Sequence, residues 1–114
     1  MPFINVKTTA GVSAQKESVI KEKLARAMEK NLNKGESWLM IAFDEKAHIW
    51  FRGDDSAPSA MVEIKILGHA TPEAFSAMTG DVCDILSKEL SIPGERIYVK
   101  YEECENWGWN GSNF

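Results

Sequence analysis

Apolar and polar positions alternate along the chain in two rhythms, short runs of strand period and longer stretches of helical period. Residues 2–8 are apolar and β-branched at Ile4, Val6 and Thr8, which predicts a strand ending at Thr9-Ala10-Gly11. Over residues 13–33, Val19, Ile20, Leu24, Ala27, Met28 and Leu32 recur at helical spacing, with lysines and glutamates on the opposite face. Ser13 is placed to cap that helix and Gly35 to stop it. Trp38 to Phe43 is an unbroken apolar run, the pattern of a strand buried on both faces. After the polar turn Asp44-Glu45-Lys46, residues 47–51 read as a short strand paired back on it. His48 is then a packing residue, since no partner cluster for a metal lies near it in sequence. Residues 52–59 form a loop, and its Arg52-Gly53-Asp54 tripeptide is of a kind that arises often by chance.

The second half repeats the rhythm. Ala60 to Leu67 alternates, with Val62, Ile64 and Ile66 on one face and Met61, Glu63, Lys65 and Leu67 on the other, and Gly68 ends the strand. Thr71-Pro72-Glu73 is a helix start, and Phe75, Met78, Val82, Ile85, Leu86 and Leu90 mark its buried stripe. Ile92 to Arg96 breaks the helix before a last strand, Ile97 to Tyr101. The tail from Asn106 to Phe114 is aromatic but too glycine-rich to form a stable element by itself. Two halves of about fifty residues, each a strand, a crossover helix and a parallel strand, predict an α+β fold with two β-α-β pseudo-repeats. Two helices cover one face of a four-stranded mixed sheet. The other face, with Trp38, Met61 and Leu67, is left apolar and uncovered, which implies self-association.

Composition narrows the function classes. A chain of 114 residues is one domain, and its 44% apolar and 26% charged residues are ordinary for a globular protein. A net charge of -4, with no basic block, argues against a nucleic-acid surface. No apolar run is long enough to span a membrane, and no signal pattern opens the chain, so a cytoplasmic protein is expected, or one exported by a non-classical route. Cys83 and Cys104 are too few and too far apart for a disulfide scaffold or a C-x-x-C pair; Cys83 fits a small buried hydrophobe, and the acids around Cys104 dull its thiol. The chemistry-bearing candidate is Pro2. With Met1 trimmed, its ring nitrogen is a secondary amine, and burial of such an amine lowers its pKa toward the range of a general base. Lys34, near the last turn of the first helix, could simply complement the helix dipole.

Pro2, Lys34, Pro58, Leu67-Gly68, Arg96-Ile97-Tyr98-Val99 and the closing Asn106-Trp107-Gly108-Trp109-Asn110-Gly111-Ser112-Asn113-Phe114 stand in one register over the whole chain. In that register the sequence resembles the macrophage migration inhibitory factor family of the tautomerase superfamily, and the terminal motif is its specific part. The resemblance implies a homotrimer with active sites at subunit interfaces. It also implies cofactor-free keto–enol tautomerase activity on phenylpyruvate-like acids, and often on dopachrome esters, with Pro2 as base. Lys34 would hold the substrate carboxylate or enolate oxygen, and the backbone N–H of Leu67 would donate a second bond. Tyr98 and Lys100 would reach in from a neighbouring subunit, and Phe3, Trp38, Trp107 and Phe114 would wall an aryl ring. Trp109 is left to subunit packing. A second reading from the same family is a cytokine-like protein that engages a cell-surface receptor, its tautomerase site vestigial. Three positions depart from the family pattern. Ser59-Ala60-Met61-Val62 replaces the Cys-x-x-Cys of thiol-oxidoreductase members. Lys100 replaces an asparagine that meets a substrate phenol. The stretch before Asn106 is about two residues shorter.

Overall fold

The computed structural model describes residues 1–114. Strand β1 (Pro2–Thr8) buries alternate side chains and pairs in parallel with β2 (Met40–Asp44). Helix α1 (Ala14–Leu32) makes the crossover between them. The second unit follows the same path through β3 (Ala60–Leu67), α2 (Pro72–Leu90) and β4 (Ile97–Cys104). The two units join through an antiparallel β1–β3 ladder, giving the sheet order β2-β1-β3-β4. The fold is therefore the expected α+β arrangement, a four-stranded mixed sheet with both helices on one face.

Local chemistry explains the helix ends. The Ser13 hydroxyl accepts the Lys16 N–H at 3.1 Å, and the Thr71 hydroxyl accepts that of Ala74 at 3.1 Å, with Pro72 at the first turn. The stop of α1 differs from expectation. Asn33, at φ 55°, takes the left-handed position assigned to Gly35, because its N–H and that of Lys34 already close onto Glu29 and Met28 carbonyls. The core is one cluster in which Ile4, Val62, Ile64 and Ile66 of the sheet meet Leu24, Met28, Met78 and Leu86 of the helices. Val19 is off this stripe, turned outward at 40% exposure.

Three further expectations are corrected. The apolar run Trp38–Phe43 is not a strand buried on both faces. Trp38 closes a 3₁₀ turn (Glu36–Trp38), and the strand begins at Met40, on the sheet edge, where Met40 is 67% exposed. Of this run, Leu39, Ile41 and Phe43 pack against the core. Residues 47–51 do not form a strand paired back on β2. They run as a loop whose Phe51 bridges Asp54 across a tight turn, and His48 lies exposed with its Nε2 2.9 Å from Asp55. The tail does form an element. Strands β5 (Gly108–Trp109) and β6 (Ser112–Asn113) make a hairpin around Asn110-Gly111, both at positive φ, as a two-residue hairpin turn demands.

Candidate functional site

The ladder that joins the halves also builds the site. Pro2, the first residue of β1, is buried opposite Ile66, and the next residue of β3 reaches past the ladder to Met1. The Leu67 N–H donates to the Met1 carbonyl at 2.9 Å, and the Lys34 ammonium donates to the Leu67 carbonyl at 2.9 Å. The Lys34 ammonium thus makes no hydrogen bond to its own helix end. The left-handed cap at Asn33 turns the chain, and the side chain crosses to β3 instead. The terminal amine beside it is held below its ordinary pKa, first by burial and second by the positive charge of Lys34.

In front of this end of β1 opens a cleft of about 690 Å³, lined mostly by apolar side chains that include Phe3, Trp38, Met40, Trp107 and Trp109. The tail hairpin forms its far wall. The Phe114 N–H returns to the Trp107 carbonyl at 3.0 Å. Trp38 meets Trp109 edge-on at 4.9 Å and Phe114 at 5.8 Å, while Trp109 and Phe114 stack at 6.0 Å. Such pairs contribute about 0.5–1.5 kcal/mol each beyond the area they bury. That aromatic cluster holds a glycine-rich tail which local propensity alone would leave loose.

Of the residues anticipated from sequence, Pro2, Phe3, Trp38 and Trp107 line the cleft together. Lys34 and Leu67 meet at the terminal amine, and Phe114 packs behind the wall. Tyr98 and Lys100 are not brought to the cleft of their own chain. They lie on the opposite edge strand, where Tyr98 is aligned with Met61 and, across β3, with Lys7 at the far end of β1. There Tyr98 packs edge-on against Phe51 at 5.1 Å, and Lys100 sits 3.4 Å from Glu102. Among the lining residues that the sequence does not single out as site residues are Trp109 and Lys65. Trp109 was assigned to subunit packing, although Asn110-Gly111 is a hairpin signal that folds it back. Lys65 lines the cleft from β3, and its register opposite Phe3 becomes visible only once the antiparallel ladder is known.

Elsewhere the surface offers less chemistry. A groove of about 350 Å³ between α1 and α2 is charged, but its charges answer one another, as in Lys30–Asp81 and Lys88–Asp84. No three His, Cys, Asp or Glu side chains converge as a metal site would need, and no helix is long and apolar enough to cross a membrane. Burial raises the Cys83 thiol pKa, in keeping with a packing role.

Comparison with known proteins agrees with this architecture. The family model described as macrophage migration inhibitory factor matches residues 1–114. The macrophage migration inhibitory factor of Xenopus laevis is 28% identical over 116 residues, covering 100% of this chain and 99% of the frog protein. A homolog from Brugia malayi is 26% identical over the same share of both chains. Among solved structures, Leishmania major MIF2 superposes with a TM-score of 0.94 at 34% identity, covering 100% of this chain and 97% of that one. The homologue from Prochlorococcus marinus gives 0.87 at 28%, covering 98% of each. With the whole length matched and the sheet order in place, this chain belongs to the macrophage migration inhibitory factor family.

Proposed function

We propose that this protein is a keto–enol tautomerase of phenylpyruvate-type acids, with Pro2 as general base after removal of Met1. The observation that carries the reading is the setting of the N-terminus. The Met1 amine, its pKa lowered by burial and by Lys34, stands beside a mostly apolar cleft, and the Pro2 nitrogen one residue along would take over that setting once Met1 is removed. Removal of Met1 would act twice. It would expose the Pro2 nitrogen, and it would free the Leu67 N–H, which the Met1 carbonyl now occupies. The uncharged nitrogen would take a proton from the carbon next to the substrate carbonyl. The C–H electron pair becomes the new C=C bond, and the carbonyl π pair moves onto oxygen. Protonation of that oxygen completes the enol, and the reverse sequence ketonises it. Lys34 has donors left beyond its bond to Leu67, and with the freed N–H it would face the developing negative charge, usually a large catalytic term.

Assembly as a homotrimer belongs to the same proposal. The sheet face away from the helices carries exposed Met40 and Tyr98 with half-buried Met61 and Leu67, and nothing in the chain covers it. A neighbouring subunit would cover that face and bring its own Tyr98 and Lys100 toward this cleft. A second reading, a cytokine-like protein engaging a cell-surface receptor, follows from the names of the relatives.

The test is phenylpyruvate ketonisation by the wild type and by variants with Pro2→Gly or with an alanine inserted before Pro2. A loss of about 10²–10⁴-fold, the usual scale for a general base, is expected in both. Equal rates in all three would end the assignment of Pro2 as base, and rates no faster than buffer would end the tautomerase reading and leave the signalling one.

A further inference from the structure

The peptide that joins Leu67 to Gly68 is bonded on both sides. Its carbonyl accepts the Lys34 ammonium at 2.9 Å, and its N–H, on Gly68, donates to the Cys104 carbonyl of β4 at 2.9 Å. It stands at the end of the β3–β4 ladder, where the chain turns at once through Gly68 at φ 93°. The C=O and N–H of a trans peptide point in opposite directions. A rotation of this plane would therefore swing the carbonyl away from Lys34 and present an N–H in its place. Such a rotation changes mainly ψ of Leu67 and φ of Gly68, and a glycine accepts either setting at little steric cost. The orientation of the peptide that holds Lys34 thus needs support from beyond the turn.

Glu103 supplies it. One carboxylate oxygen accepts the Ala70 N–H at 2.9 Å and lies 3.5 Å from Nδ1 of His69. A charged acceptor makes this a stronger tie than a neutral one. Glu103 is level with buried Ile66, so its side chain stands on the helix side of the sheet, away from the face assigned to a neighbouring subunit. Resting on the tautomerase reading, we propose that Glu103 is a positioning residue. By fastening Ala70 to β4 it keeps the Leu67–Gly68 carbonyl turned toward Lys34, and so sets where the remaining donors of that ammonium meet the substrate. Glu103 touches no substrate itself. Its removal matters only while Lys34 is there to be positioned.

The experiment measures kcat/KM for phenylpyruvate in wild type, Glu103→Ala, Glu103→Gln, Lys34→Gln and the double variant Glu103→Ala/Lys34→Gln, with urea denaturation alongside to separate lost fold from lost turnover. Glu103→Ala should lose about 3- to 10-fold, the scale of one hydrogen bond. Glu103→Gln keeps an oxygen that can accept the Ala70 N–H and should retain most of the wild-type rate. In the Lys34→Gln background the alanine should cost nothing further, because the two changes act through one contact. An unchanged rate in Glu103→Ala overturns the proposal. So does the same fold-loss with and without Lys34, which would mark Glu103 as a residue of stability alone. A Glu103→Gln as slow as Glu103→Ala overturns it too, because the effect would then lie in the charge and not in the bond to Ala70. A wild type no faster than buffer would instead sink the tautomerase reading, so the two failures are distinguishable.

Discussion

The two halves of this molecule are the same device used for opposite ends. A shift of 58 residues carries Ala14–Leu32 onto Pro72–Leu90, the left-handed cap Asn33 onto Ser91, and the 3₁₀ turn Glu36–Trp38 onto Gly94–Arg96. Even the bond just outside the ladder recurs: Leu67 N–H to the Met1 carbonyl at one end, Thr9 N–H to the Ser59 carbonyl at the other. What differs is what fills the space. At the first end Pro2, Lys34 and Trp38 stand beside an open cleft. At the second end the equivalent positions are Ala60, Ile92 and Arg96, all buried. The chain before Ala60 is a loop, and Arg96 pins it by donating to the Asp54 carbonyl at 2.8 Å, the Ser59 hydroxyl at 2.8 Å and the Pro58 carbonyl at 3.2 Å. One backbone frame thus offers two pockets, and side chains decide that one is stuffed and the other available for ligand.

The comparison breaks most clearly at Ile92, which is 1% exposed where its counterpart Lys34 reaches across to Leu67. Ile92→Ala should cost about 2–5 kcal/mol of stability through the cavity it leaves, read by urea denaturation, with little change in turnover by the folded fraction. Next comes Arg96. Arg96→Met removes the charged donor from Ser59 and two carbonyls, and a loss of about 1.5–3 kcal/mol is expected, again without loss of catalysis at the opposite end. A large fall in kcat/KM in either variant, once the protein is folded, would show that the two ends are coupled rather than independent.

The smallest effect sharpens the difference instead. Lys34 lowers the Met1 amine's pKa as the lesser cause after burial, and with Met1 removed the same charge and burial would act on the Pro2 nitrogen. That nitrogen is a base only when uncharged, so activity should fall as pH drops through its pKa. Removing the cation in Lys34→Gln raises that pKa, and the acidic limb of the kcat/KM profile should move to higher pH. Because burial is the larger cause, the limb should stop short of the position expected for a free terminal amine. An unmoved limb would mean that Lys34 does not act on the base through its charge.

Much of this frame was legible in the chain because it is written locally. Ser13, Thr71 and Pro72 meet partners three or four residues away, and the alternation over Ala60–Leu67 reports directly which side chains face the helices. Trp38–Phe43 misled because an apolar run looks the same in a central strand and in an edge strand whose outer side chains await a neighbour. The tail misled because its stability comes from Trp38, some seventy residues earlier, and a window along the sequence cannot register that contact.

By itself, then, the sequence determined the elements, their order, the family register and the candidacy of Pro2, all of which rest on neighbours or on motif. Only the tertiary structure decided that Met1 occupies the Leu67 N–H, that Lys34 leaves its helix for β3, and that Lys65 lines the cleft while Arg96 seals the matching end. Those facts depend on strand order and register, which bring together residues tens of positions apart. Such contacts are set by how the sheet closes, not by what stands beside each residue in the chain.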